Sequence, residues 1–300
     1  MRRMLVLGKG LVGGAISSYF RISDYVVKSC SSDDVDLRVL AEVESELRSY
    51  RPDVVILAAG VSGGIEANLQ VPGELSIENL LMMSNIFYAA RKLEVPQLIN
   101  LVPACVYPGN LNKVMTPDDL FAGPMEESSL GYSSSKLAGL VACRSIASQD
   151  GCNWKSMIVT NLYGPVKRRG AGEHVIPDLV KKFSAAKLHS KEVIELLGTG
   201  RSVRDFLHVS DLGAAVNALI SYQGQEQVVN VNGSGAISIS DLASCVAQIV
   251  GFKGQIVFNR PDLNGADFKV LDGSFIQSLG WRPKISLLDG LDMVFTQTLV

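Results

Sequence analysis

Long apolar runs are missing from this sequence: none reaches the ~18 or more residues that a helix needs to cross a bilayer. A helical membrane protein is thereby excluded, and because the first residues read as a strand rather than a secretory leader, an unexported protein is expected. An excess of one charge is missing too. With a formal net charge of -2 and a sequence pI of about 6.0, the chain has no general attraction for nucleic acid or for anionic lipid. Cysteine is sparse: Cys30, Cys105, Cys143, Cys152 and Cys245 have neither metal-ligand spacing nor the even number of a disulfide framework. A reducing, cytoplasmic setting and no metal site are expected. Repeats and low-complexity tracts are also lacking. What the chain does have is apolar content, 47% hydrophobic over 300 residues, enough to bury the core of one large or two modest domains.

The apolar run Met4-Leu5-Val6-Leu7 leads into Gly8-Lys9-Gly10-Leu11-Val12-Gly13, a G-x-G-x-x-G, and then into a helix-compatible stretch. The first glycine allows a tight turn, the second lets backbone approach a diphosphate, the third allows close helix packing, and the helix start offers amide donors to an anion. The order strand, loop, helix predicts a nicotinamide dinucleotide site. Its form depends on the end of the second strand, Tyr25 to Ser32. An NAD-selective site usually places a carboxylate there, and Lys28, Ser29 and Ser31 stand in its place, which favours the 2′-phosphate of NADPH, although Asp33 and Asp34 follow closely.

Apolar runs then alternate with helical patterns: Val54 to Ala59, Ile77 to Leu93, Gln97 to Val102, Trp154 to Val159. That alternation predicts an α/β fold, a Rossmann-type doubly wound parallel sheet. Beyond about residue 160 the pattern loosens into loops with shorter elements such as Val193 to Leu197 and Ser240 to Val250. The reading is a nucleotide-binding domain over 1–160, to which some later segments return, and a smaller mixed lobe over 161–300.

Tyr132 and Lys136 stand four apart at the start of a helical run and so share one helix face. A phenol ordinarily titrates near pH ~10, and a neighbouring ammonium stabilises its anion, which would make Tyr132 an acid suited to reducing a ketone.

Further motifs complete the pattern: Ala58-Ala59 through Gly63-Gly64-Ile65 and Ala67-Asn68, Cys105-Val106-Tyr107-Pro108, Asn161-Leu162-Tyr163-Gly164-Pro165, His174-Val175-Ile176-Pro177, and Arg204-Asp205-Phe206-Leu207-His208-Val209. On these residues, over nearly its whole length, the chain resembles the extended short-chain dehydrogenase/reductases and, among them, the GDP-L-fucose synthase family. The resemblance implies an NADPH-dependent enzyme that epimerises a GDP-linked 4-keto-6-deoxy sugar at C3 and C5 and reduces it at C4, working as a homodimer. It assigns the epimerising base to Cys105, the acid to His174, and the reducing pair to Tyr132 and Lys136. Cofactor contacts would include Ala58, Ala59 and Asn161. Substrate contacts would come from Asn161, His174, Val175, Leu179, Lys182, Arg204 and Lys269, with Val175 and Leu179 lining the base pocket and the cations meeting the diphosphate. Where the family usually has a serine that bonds the C4 oxygen, this chain has Pro103, which has neither a side-chain donor nor a backbone N–H. The segment Val166 to Glu173, with Lys167, Arg168 and Arg169, also departs from the family loop. Two other readings stand beside the first: a 4-keto reductase alone, acting on a related deoxy-sugar or heptose nucleotide, and a non-catalytic dinucleotide sensor.

Overall fold

Successive residues of the first strand bury opposite faces, and this period of two sets the layering of the whole molecule. Met4 and Val6 enter one apolar core with Ile16, Phe20, Leu212 and Leu219, while Leu5 and Leu7 enter another with Met83, Ile86, Phe87 and Trp154. Both faces of the strand are therefore covered, as a parallel sheet requires.

The computed structural model describes residues 1–165, 175–260 and 265–298. The chain runs β1 (Arg2–Leu7), α1 (Leu11–Phe20), β2 (Tyr25–Cys30), α2 (Leu40–Tyr50), β3 (Val54–Leu57) and α3 (Ile65–Gln70). It continues through α4 (Pro72–Lys92), β4 (Gln97–Pro103), α5 (Leu130–Asp150), β5 (Asn153–Val159) and β6 (Asn161–Tyr163). Next come α6 (Val175–Leu188), β7 (Val193–Leu197), β8 (Val203–His208), α7 (Val209–Ser221), β9 (Val228–Val231) and β10 (Ala236–Ser238). The last elements are α8 (Ile239–Val250), β11 (Gln255–Asn259), β12 (Phe268–Lys269), α9 (Ser274–Ser278) and α10 (Leu287–Thr298).

Six strands form a wholly parallel sheet in the order β2-β1-β3-β4-β5-β9. The order reverses at β1, so a crevice opens beyond the carboxyl ends of β1 and β3. α1 and α7 cover one face, and α2, α4 and α5 the other. The parallel, doubly covered sheet is the architecture that the alternating pattern predicts. From the second half of the chain, α7 and β9 pack onto this body. Apart from α9, which packs against β9 and α7, the remaining elements build a mixed assembly in which β8 pairs antiparallel with β10 and parallel with β6 and β12, beside a parallel β7–β11 pair. Their core gathers Ile176, Leu179, Phe183, Phe206, Leu242 and Leu291. Asp205 ties the two parts together: its buried carboxylate accepts the N–H groups of Phe206, Gly233 and Gly235, fastening β8 to the chain that leaves β9.

Two long helices carry Asn79, Tyr132 and Lys136. Pro72 opens α4 where a missing N–H costs nothing, Glu74 lies in the first turn, and Arg91 and Lys92 in the last, each matched to the helix dipole. α5 runs alongside α4 and ends at Gly151 in the left-handed conformation. A Cβ at Gly131 would lie 2.3 Å from the Pro72 carbonyl oxygen, so the first turn of α5 can sit against the start of α4 only because residue 131 has no side chain.

Candidate active site

The phosphate loop is built as its spacing requires. Gly8 has φ +105, and a Cβ on it would come within 2.7 Å of the Ala59 nitrogen; one on Gly13 would sit 1.8 Å from the Gly8 oxygen. A Cβ on Gly10 would meet nothing within 4 Å, which leaves that side of the backbone open to a ligand. α1 starts immediately after it with no side-chain cap and no acid in its first turn among the described residues, so its leading N–H groups are free to meet a diphosphate. Lys9, Leu11 and Val12 lie in this loop. These residues fit a dinucleotide.

Lys28 departs from the expectation. Its ammonium is paired with Glu46 of α2 at 2.7 Å and lies over the Tyr50 ring, so its charge is committed away from the strand end where a 2′-phosphate would sit. Ser31 is likewise engaged, its N–H and hydroxyl both donating to Asp34 at 2.8 Å. The cation whose field reaches Cys30 and Asp34 at that strand end, besides Lys28, is Lys9 of the phosphate loop.

Lys136 is 3% exposed on α5 and donates to the Ala59 carbonyl oxygen at 3.1 Å. On the α4 side, Asn79 is fully buried and grips Val61, accepting its N–H at 3.2 Å and donating to its C=O at 2.8 Å. The stretch from Ala58 to Val61, which leaves β3 beside the loop, is thus held from both flanks. Burial pushes the Lys136 ammonium down to about 8 against the opposing pull of Cys105. The Tyr132 ring lies 5.9 Å from that ammonium. Contrary to the expectation of an acidified phenol, burial and then the neighbouring Cys105 push the Tyr132 hydroxyl upward. Both effects act in the same direction, and the phenol is held protonated.

β4 ends in a tight turn, Ala104–Val106, that presents Cys105 to the same cluster. Burial raises its thiol, while Lys269, a hydrogen bond from Ser133 and Lys136 draw it back and Glu126 opposes them. Lys269, 6% exposed on β12, is bound to Glu126 at 2.7 Å. Instead of standing free for a diphosphate, it is balanced by a carboxylate and sits beside the thiol. Arg204 of β8 faces the same carboxylate: a Cβ at Gly265 would lie 3.0 Å from Glu126 Oε1 and 3.2 Å from Arg204 Nη2. Burial lowers Arg204, with Glu126 and Asp267 opposing. For Glu126 itself burial acts upward, but Lys269, Ser128 and Arg204 outweigh it and the carboxyl lies below its ordinary value.

Glu126 was not legible as a site residue, because nothing in its neighbourhood of sequence brings Lys269 or Arg204 near. Glu126→Gln removes the carboxylate that Lys269 is bound to and one of the two whose charge Arg204 feels, and is expected to cost roughly 3 kcal/mol at neutral pH in urea unfolding. Since the native carboxyl is depressed, the wild-type advantage is complete above the unfolded carboxyl's pKa and fades as pH falls through the native one. A gap that persists in acid would contradict it.

Other assigned positions are placed differently. The Asn161 amide donates to the Asp205 carbonyl oxygen at 3.0 Å. Leu179 is 3% exposed inside the core of the mixed assembly, not lining a pocket, because it shares the buried face of α6 with Ile176 and Phe183. Val175, at the same helix's start, is at the surface, and Lys182 forms an exposed pair with Asp178 at 3.0 Å. His174, Lys167, Arg168 and Arg169 lie outside the described residues. Among the described residues no cluster of His, Cys, Asp and Glu could hold a metal ion, and no helix is long and apolar enough to cross a membrane.

Known proteins resemble this chain over nearly its full length. A GDP-L-fucose synthase of Sinorhizobium fredii is 35% identical, matching 97% of this chain and 93% of its own. The GDP-L-fucose synthase of Escherichia coli is 32% identical over 97% and 94%. A solved structure of a GDP-mannoheptose C4 reductase from Campylobacter jejuni with NADP bound superposes with TM-score 0.88 at 28% identity, over 100% of this chain and 98% of that one. The model of the NAD dependent epimerase/dehydratase family matches residues 4–232, and to that family this chain belongs.

Proposed function

We propose that the protein is an NADPH-dependent 3,5-epimerase/4-reductase of a GDP-linked 4-keto-6-deoxy sugar. The observation that carries this reading is the meeting of Tyr132 and Lys136 of α5 with Cys105 of the turn after β4 in one cluster, next to the Ala58–Ala59 stretch that Gly8 packs against. Full-length likeness to GDP-L-fucose synthases supports the substrate class.

When bound, NADPH supplies the hydride for C4. The Gly8 to Gly13 loop and the leading amides of α1 would bind its diphosphate, and the stretch from Ala58 to Val61, held by Lys136 and Asn79, would flank it. A ketone at C4 acidifies the protons at C3 and C5, and Cys105 as thiolate removes them in turn. Tyr132, kept protonated by burial, delivers its proton to the C4 oxygen during reduction. Arg204, next to Glu126, fits a diphosphate through its planar fork of donors.

A reductase acting alone is the second reading, favoured by the likeness to the C4 reductase and by burial holding the Cys105 thiol up. Incubating the protein with NADPH and GDP-4-keto-6-deoxymannose in deuterated water decides between them. Label at C3 and C5 of the product is expected; NADPH oxidation with no label would leave reduction only.

The protein works in the cytoplasm as a homodimer in this proposal. Ile77, Leu81 and Tyr88 make an exposed stripe on α4, next to Leu130 and Val141 on α5, an apolar face suited to a second copy. Leu81→Arg places a charge in that face and is expected to shift the sedimentation coefficient from dimer to monomer; an unaltered coefficient would count against the interface.

A further inference from the structure

The serines between Tyr132 and Lys136 do not behave alike. Ser134 and Ser135 turn back onto the helix, donating to the carbonyl oxygens of Leu130 and Tyr132, the ordinary way for a helical serine to satisfy its hydroxyl. Ser133 instead faces the cluster. It is 0% exposed, its hydroxyl donates to Ser129 Oγ at 2.8 Å, and it adjoins the Cys105 thiol on the turn after β4, against which α5 packs. Ser129 stands one turn earlier, at the edge of the protein, part-exposed and 3.5 Å from the Glu126 carbonyl oxygen. Three groups that can each accept one proton and release another therefore form a file from the part-exposed thiol of Cys105 through the buried Ser133 to the surface.

The epimerisation proposed above needs such a file, and the inference rests on that reading. One thiolate has to take a proton at C3 and another at C5. After the first it is a neutral thiol and inert as a base until that proton has gone. A sugar nucleotide seated over Cys105 displaces water from the cleft side, so the open route lies behind the thiol. We propose that Ser133 and Ser129 relay the Cys105 proton to solvent between the two inversions. In the step, the S–H bond breaks as Ser133 Oγ takes its proton; Ser133 passes its own to Ser129, and Ser129 passes its own to water. Each serine oxygen ends with one proton, the sulfur ends as thiolate, the water carries the proton away as hydronium, and nothing is oxidised or reduced.

The test counts deuterium at C3 and at C5 in product formed from GDP-4-keto-6-deoxymannose and NADPH in deuterated water, by NMR. Wild-type product carries label at both carbons. Ser133→Ala is expected to lower the ratio of doubly to singly labelled product by at least about tenfold, since proton transfers of this kind are worth a hundredfold or more. Ser129→Ala, at a part-exposed position where folding is not at stake, is expected to lower the same ratio. A general loss of activity or of folded protein scales both labels together and leaves the ratio alone. An unchanged ratio in both variants, with wild-type protein labelling both carbons, overturns the relay while the epimerase stands. Wild-type protein that oxidises NADPH and labels neither carbon overturns the epimerase and the relay with it.

Discussion

Tyr132→Phe is expected to cut NADPH oxidation by at least about a hundredfold while deuterium still enters C3 and C5, and Cys105→Ser is expected to do the reverse. The two losses separate because the side chains touch different parts of the reaction. Phenylalanine keeps the ring that packs beside Lys136 and removes only the hydroxyl, so the fold is retained and the proton for the C4 oxygen is lost. Burial holds that hydroxyl well above its ordinary value. It is therefore protonated throughout the working range, and no change of pH restores the variant. Serine in place of Cys105 substitutes an alcohol for a thiol and cannot supply the anion that a carbon acid requires. Because burial also raises the native thiol, its thiolate fraction is small at neutral pH and grows as pH rises, so label incorporation by the wild-type protein is expected to climb with pH toward the raised value. Label that is insensitive to pH, or a Cys105→Ser protein that labels as fast as wild type, would remove the thiol from the base role.

Lys136→Met is expected to abolish reduction and yet to stabilise the protein without cofactor. Burial lowers the ammonium from 10.5 to about 8, a displacement worth on the order of 3 kcal/mol. Below pH 8 the lysine is charged in folded and unfolded chains alike, and folding bears the whole cost of burying the charge. Between about 8 and 10.5 the folded chain sheds its proton first and the cost diminishes; above 10.5 both states are neutral and it is gone. Methionine has no charge to bury but forfeits the hydrogen bond to Ala59, worth about 1 kcal/mol. The net gain for the variant at pH 7 is therefore about 2 kcal/mol, closing as pH rises through that window. Urea unfolding at pH 7 and again above pH 10 measures it. A methionine variant less stable than wild type at pH 7 would mean that the ammonium is better solvated or paired than its surroundings in the structure indicate. The opposition between stability and activity at this position is what a functional charge in a dry site entails.

The α/β layering was readable from the chain alone, since alternating apolar runs and amphipathic helices leave few other ways to cover both faces of a strand such as Met4 to Leu7. The phosphate loop was readable for a related reason: Gly8, Gly10 and Gly13 act through local backbone geometry within a few residues. Tyr132 and Lys136 were found by their spacing on one helix face. Lys28 was misread, because which neighbour a strand's side chain meets depends on the helix packed against it, and Glu46 of α2 proved to be that neighbour. Leu179 was misread for the same kind of reason, the rotation of α6 being set by the core it covers.

Local order along the chain thus determined the elements, the glycine loop from Gly8 to Gly13 and the placing of Tyr132 and Lys136 on one helix face, all of which depend on contacts between residues close in sequence. Only the tertiary structure decided the company of Cys105. Glu126, Ser133, Arg204 and Lys269 reach it from distant segments, and desolvation, which sets the protonation of Tyr132, Lys136 and the thiol, is a property of the surrounding fold that no residue carries by itself.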